Sequence, residues 1–404
     1  MKPLAPAGID PYAPGFLGDP WAAYRRLHEA GPLLWSSAHR LWLVPGHAAA
    51  RAMLRDPGIF TSPLAHSVSR LGERGGQAYP SLCGILDSIP FYTNPPAHAP
   101  MRRLFTSILA ARPISGHVPV MREIAERVLA KARAPGRFDL VLDFADRVPA
   151  LFMAQLVGIP ERELPVLRTL TEGVIVVFNR VLRLREYAAI DRRVAEALSL
   201  LEGIAAQRRR SPQDDGISRL LAASHEGRPL DDAQIARYCY VLFLVGVETT
   251  STLIGSALRL LLDAPESYAA LRADRALLPS AVEEFLRCET PVQTAARVAV
   301  QACVLNGTRV EPGERVVVML GAANRDPAAY AEPDRFDVRR EGPAHLAFGE
   351  GAHVCVGATL ARTEARVALE AFLDLPRCRR SRNTDQWWPY DWLRRLRELP
   401  VEFA

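Results

Sequence analysis

Lysine is almost missing from this chain of 404 residues. Lys2 and Lys131 are its only two, and the rest of the 50 basic residues are arginine. The net charge is +5, but basic side chains are interleaved with acids along the chain, with no block of the kind that binds nucleic acid. The arginine bias fits a GC-rich genome as well as any binding surface. Paired cysteines are missing too. Cys83, Cys239, Cys288, Cys303, Cys355 and Cys378 stand without a CxxC and without regular spacing. In a chain this large, that pattern points to a reduced, cytoplasmic protein. The N-terminus, MKPLAPAGIDPYAPGF, lacks the apolar run of a leader or an anchor, so neither secretion nor N-terminal membrane attachment is expected. Repeats, low-complexity tracts and long linkers are absent as well. Hydrophobic residues make up 49% and charged residues 24%, as in ordinary globular proteins, and a single domain over 1–404 is expected.

What is present is mostly helical pattern. Residues 20–30 read as a short amphipathic helix closed by Gly31-Pro32, followed by two short strands in LLWSS and RLWLV. Residues 61–96 are rich in Gly, Pro and Ser and are expected to form an irregular loop. From 97 to 290 helical periodicity dominates, and beyond 291 short β-type runs appear in RVAVQA and RVVVML. Between Asp231 and Leu262 apolar residues run almost unbroken. A helix of that kind either crosses a membrane or forms the centre of a large protein, and Arg237 with Glu248-Thr249-Thr250 in its middle favours the second. The expected fold class is mainly α with minor β.

The chemistry concentrates in residues 345–357, HLAFGEGAHVCVG. They fit F-G-x-G-x-H-x-C-x-G at all six fixed positions, a coincidence below about one in a hundred million per start position at ordinary residue frequencies. This stretch resembles the cysteine-ligand loop of the cytochrome P450 family, and the resemblance extends over nearly the whole chain. It implies a triangular helical domain with small sheets and a long central helix over a haem b whose iron is held by the Cys355 thiolate. In such a loop Gly349 and Gly351 let the backbone turn against a flat macrocycle. Phe348 shields the sulfur, and Gly357 lets the following helix approach the ring. At that helix N-terminus the dipole would favour the thiolate, which pushes electron density through iron and favours O–O cleavage.

The resemblance extends to the long helix, where Gly246-Val247-Glu248-Thr249-Thr250 is similar to the family's oxygen-activation motif, about 106 residues before Cys355. It implies that Gly246 permits a local helix distortion, Thr249 hydrogen-bonds dioxygen or its water, and Glu248 relays protons. His98 and Arg102, at H-x-x-x-R spacing, with Arg297 and His353, are implied partners of the haem propionates. Glu284 and Arg287 in E-x-x-R, completed by Arg335, would form a structural Glu–Arg–Arg network. Val241, Leu244, Val245, Thr294 and Ala295 are the candidate substrate-pocket residues. Val245 stands where the family usually has Ala or Gly. Trp387, Trp388, Tyr390 and Trp392 are candidates for an aromatic lid or for packing.

The implied reaction is insertion of one oxygen atom of O2 into a mostly apolar small molecule. With no reductase in 404 residues, electrons would come from NAD(P)H through a separate ferredoxin or flavodoxin and its reductase. A monomer with no nucleic-acid or membrane partner is expected. A peroxide-using enzyme, oxidative coupling or desaturation, and a haem-binding sensor or carrier are the alternatives. Glu248 and Thr249 favour dioxygen use over each of them.

Overall fold

The computed structural model describes residues 2–56, 60–61, 73–110, 113–133, 138–178, 182–225 and 228–403. Helix α1 (Trp21–Ala30) leads into β1 (Leu34–Ser36) and β2 (Leu41–Val44), at the positions that LLWSS and RLWLV predict. Helix α2 (His47–Arg55) follows. β3 (Phe60–Thr61), β5 (Thr294–Ala299) and β6 (Arg315–Met319) complete a five-stranded sheet in the order β1-β2-β6-β5-β3. β6 runs parallel to β2 and antiparallel to β5, with Val318 opposite Ala295. A second sheet joins β7 (Cys378–Arg380), β8 (Pro400–Phe403) and β4 (Phe138–Asp139).

The segment expected to be an irregular loop at 61–96 is largely helical where it is described; residues 62–72 lie outside the described ones. Glu73–Ala78 and α3 (Pro80–Asp87) are helices, and Pro90–Tyr92 is a single 3-10 turn. The reason is local. Pro80 opens the helix without needing an N–H, and Leu82, Ile85, Leu86 and Ile89 recur at helical spacing and are buried.

The other helices used below are α4 (His98–Leu109), α5 (Ile114–Leu129), α6 (Arg147–Val157), α7 (Leu164–Thr171), α8 (Leu184–Arg210), α9 (Asp232–Leu262), α10 (Leu278–Cys288) and α11 (Ala358–Leu373). Helix α9 is the axis of the fold. A reciprocal box closes its N-terminus, with Asp231 accepting from the Gln234 N–H and Gln234 accepting from the Asp231 N–H. It is long and apolar enough to cross a membrane, but 78% of its most apolar stretch is buried by protein. It packs on α8, α6 and α11, and that burial is why its sequence carries no polar face.

Candidate functional site

A cavity of about 770 Å³ lies between α9 on one side and the loop preceding α11 on the other. That loop is closed by its own backbone. The N–H of Gly349 donates to Leu346, that of Val354 to Gly351, and that of Cys355 to Phe348 at 2.9 Å. Both glycines hold left-handed φ, +68° at Gly349 and +74° at Gly351. Their surroundings differ. Gly349 lines the cavity, but a Cβ on Gly351 would come within 2.3 Å of the Leu54 carbonyl in α2. Gly351 is thus required by close packing on α2, and not by a flat ring as expected from the sequence.

Cys355 projects its side chain into this cavity, open to it although protein surrounds the position. Burial pushes its thiol up. The Gly357 N–H, Arg102 and Arg362 pull it back without overcoming that effect. The helix end alone therefore does not make a thiolate here; a coordinated cation would, since a metal deprotonates its thiol ligand outright. A Cβ on Gly357 would meet Sγ only at 4.0 Å. Phe348 lines the cavity and lies under the Arg362 guanidinium, 4.5 Å from its ring centre.

His98, Arg102, Arg297 and His353 converge on one rim of the cavity. The His98 and His353 rings are 4.2 Å apart. Burial and the neighbouring cations push His353 down to about 3, and burial alone pushes Arg297 down to about 10. Among the described residues no carboxylate pairs with any of the four, and His98 Nε2 and His353 Nδ1 are buried without partners. Such a cluster is costly unless an anion joins it. Two carboxylates at that rim fit it, as does a flat group seated between Cys355 and α9. The residues present therefore suit haem, with its two propionates.

On the opposite wall are Gly246, Glu248 and Thr249. Helix α9 is α-helical throughout, so the local distortion expected at Gly246 is not found. Glycine is needed for packing instead: a Cβ there would stand 2.9 Å from the Met153 methyl of α6. The Thr249 hydroxyl donates to the Val245 carbonyl at 2.8 Å, and Glu248 forms an ion pair with Arg395. Val241, Leu244, Val245, Thr294 and Ala295 all line the cavity.

Sequence reading missed Ile89, Tyr92, Phe178 and Trp392, which complete the apolar lining. They come from segments far apart in sequence, and no local pattern marks them. Phe178 and Trp392 are in ring contact at 5.4 Å. Of the four C-terminal aromatics only Trp392 faces this cavity. Trp387 stacks on Arg394, and Trp388 stacks on Tyr390.

The expected Glu–Arg–Arg trio needs one correction. Arg287 bonds both oxygens of Glu284, at 2.7 and 2.9 Å, but the second arginine on Glu284 is Arg340, at 3.0 Å. Arg335 pairs with Glu332 and is exposed, contributing only its carbonyl to Arg287 and Arg340. The chain turns after Pro333, so the Arg335 side chain points outward and the later arginine reaches in. Glu364 of α11, which also lines the cavity, is fully buried, and desolvation pushes its carboxyl up to about 8.

The sequence profile of the family described as Cytochrome P450 matches residues 178–387, half of the chain. The chain belongs to the cytochrome P450 family. It is 34% identical, over 96% of its length and 92% of the relative's, to the cytochrome P450 monooxygenase PikC of Streptomyces venezuelae. It is 30% identical, over 96% and 97%, to the biotin biosynthesis cytochrome P450 of Bacillus subtilis. Among solved structures, P450BioI in complex with an acyl carrier protein ligated to hexadec-9Z-enoic acid superposes with a TM-score of 0.88 at 30% identity, covering 96% of this chain and all of that one. Epothilone D-bound P450epoK superposes with a TM-score of 0.87 at 28% identity, covering 99% of this chain and all of that one. The P450 fold and an oxidoreductase activity of the haem monooxygenase type follow. So do the needs common to P450s: haem, dioxygen, reducing electrons from a redox partner and a small substrate.

Proposed function

We propose that this P450 holds haem b through Cys355, that His98, Arg102, Arg297 and His353 bind its propionates, and that a mostly apolar small molecule is oxygenated above it. The observation that carries this reading is the pairing of an accessible Cys355 sulfur with an anion-lacking cationic rim in one cavity. When bound, haem supplies the reductive activation of dioxygen. The chain supplies position and protons. Arg102 and Arg297 orient the propionates, and Val241, Leu244, Val245, Phe178 and Trp392 exclude water and hold an apolar substrate. Thr249 donates a hydrogen bond beside the oxygen site, and Glu248 brings protons from solvent.

Electrons would reach the Cys355 side from NAD(P)H through a ferredoxin or flavodoxin and its reductase. Arg103, exposed on α4, supports an acidic partner there, whereas Arg362 and Arg366 are already paired with Glu283 and Glu370. A single-domain, cytoplasmic monomer agrees with these features. The test is Cys355→Ala: it should lose haem or lose the red-shifted carbon-monoxide band of thiolate ligation. A retained thiolate band overturns the assignment.

A further inference from the structure

Glu248 stands on the boundary between two cavities. Besides the one already described, a cavity of about 980 Å³ lies against the other face of α9. Helical spacing divides the residues: Val241, Val245 and Thr249 line only the first, and Phe243, Val247 and Ser251 only the second. Leu244 and Glu248 line both.

On the side of the second cavity the Glu248 carboxylate meets Arg395, from the C-terminal segment. Arg395 is shared. Its Nη1 serves Glu248, and its Nη2 donates to both oxygens of Asp146, at 2.9 Å each. Asp146 precedes α6 and is buried; the Arg395 side chain is 13% exposed. Two carboxylates therefore compete for one guanidinium out of bulk water, where Coulomb attraction is several times stronger than at the surface. Burial pushes the Asp146 carboxyl up, while Arg395 and then Arg168 pull it back. The remaining charged lining comes from Arg127 of α5, Arg147 of α6, Glu161 before α7, Arg168 of α7, Glu172 and Arg397.

We propose that Arg395 is a positioning residue for the proton relay, holding ionised Glu248 toward the second cavity and releasing it toward Thr249 when it is protonated. The second cavity is then the route by which protons reach the oxygen site. The cycle balances without a co-reactant. The Glu248 carboxylate takes a proton from solvent and, now neutral, loses its attraction for Arg395, which keeps Asp146 as its counter-charge. Glu248 then turns to the first cavity, gives the proton up beside Thr249, and returns as a carboxylate to Arg395. Asp146 makes release cheap, because the guanidinium is never left buried without an anion. The proposal rests on the reading of Glu248 and Thr249 as the relay.

The experiment compares Arg395→Gln, Arg395→Lys, Asp146→Asn and Glu248→Gln as haem-loaded proteins. In infrared spectra at pH 7, Arg395→Gln should show a protonated carboxyl band that disappears in the double variant with Glu248→Gln. The parent and Arg395→Lys should lack it. In turnover, Arg395→Gln should lose about tenfold in product rate and divert electrons to peroxide at unchanged substrate affinity, with partial rescue in Arg395→Lys. Asp146→Asn, leaving Arg395 to Glu248 alone, should slow product formation severalfold and raise the solvent isotope effect. If Glu248→Gln is impaired but Arg395→Gln keeps parental rate, peroxide yield and spectra, the latch is overturned while the relay stands. If Glu248→Gln itself behaves as the parent, the relay falls, and the latch with it. Should Arg395→Gln fail to load haem, the Arg395→Lys and Asp146→Asn results decide alone: a parental isotope effect in Asp146→Asn overturns the proposal.

Discussion

Arg102 donates from Nη1 to the carbonyl of Val354, 2.7 Å away, so one side chain ties α4 to the residue preceding Cys355. Arg102 also lies on the cationic rim, and its loss should act twice. Arg102→Gln removes a part-buried charged hydrogen bond, about 1.5–3 kcal/mol, and one of the proposed propionate partners. The haem-to-protein ratio after desalting should fall, along with the Tm. Arg102→Lys, which keeps charge but not the planar fork, should fall between. Full haem occupancy at the parental Tm in Arg102→Gln would remove Arg102 from both roles.

The network around Glu284 separates two arginines that look equivalent in sequence. Arg340→Ala leaves the buried Glu284 with one cation and should cost about 2–3 kcal/mol in denaturant unfolding. Arg335→Ala changes an exposed side chain and should stay within about 0.5 kcal/mol. Equal losses, or the reverse order, would restore Arg335 as the third member.

Glu364 makes a prediction about pH. Its folded-state value, about 8, lies above the ordinary 4.5, so the folded protein keeps a proton that the unfolded chain releases. The stability due to this group is complete below pH 4.5 and is lost as pH rises to about 8. Glu364→Gln, neutral at every pH, should flatten the decline of the urea midpoint across that window. At pH 8 it should exceed the parent by roughly 2–4 kcal/mol. Parallel curves for the two proteins would show that Glu364 is ionised in the fold.

Val245 lines the cavity on α9, across from Thr294 and Ala295 of β5. Val245→Ala removes two methyl-sized volumes from that wall. It should tighten the binding of bulkier apolar ligands several-fold, read as the ferric spin-state change in titrations over a ligand size series, with the carbon-monoxide band unchanged. Affinities equal to the parent's at every size would assign Val245 to packing alone.

The family, the Cys355 loop and the central helix were legible in the sequence because each is written in contiguous residues. Six fixed positions fit one loop, and an unbroken apolar run can be stable only if every side of it is covered. The rim of His98, Arg102, Arg297 and His353 was legible for the same reason, since each member sits in a short recognisable context. Tertiary structure alone decided what depends on approach between distant segments. Gly351 is fixed by the Leu54 carbonyl and Gly246 by Met153, two contacts 197 or more and 93 residues away that no local spacing encodes. Arg340 displaces Arg335 because side-chain direction after a turn follows from the backbone path, not from order along the chain. Glu248 reads as a motif acid in the sequence. Its partner Arg395, the second carboxylate Asp146 and the cavity behind them exist only once the C-terminal segment folds back against α9. Charges in a folded interior act through space, and sequence separation carries no information about that distance.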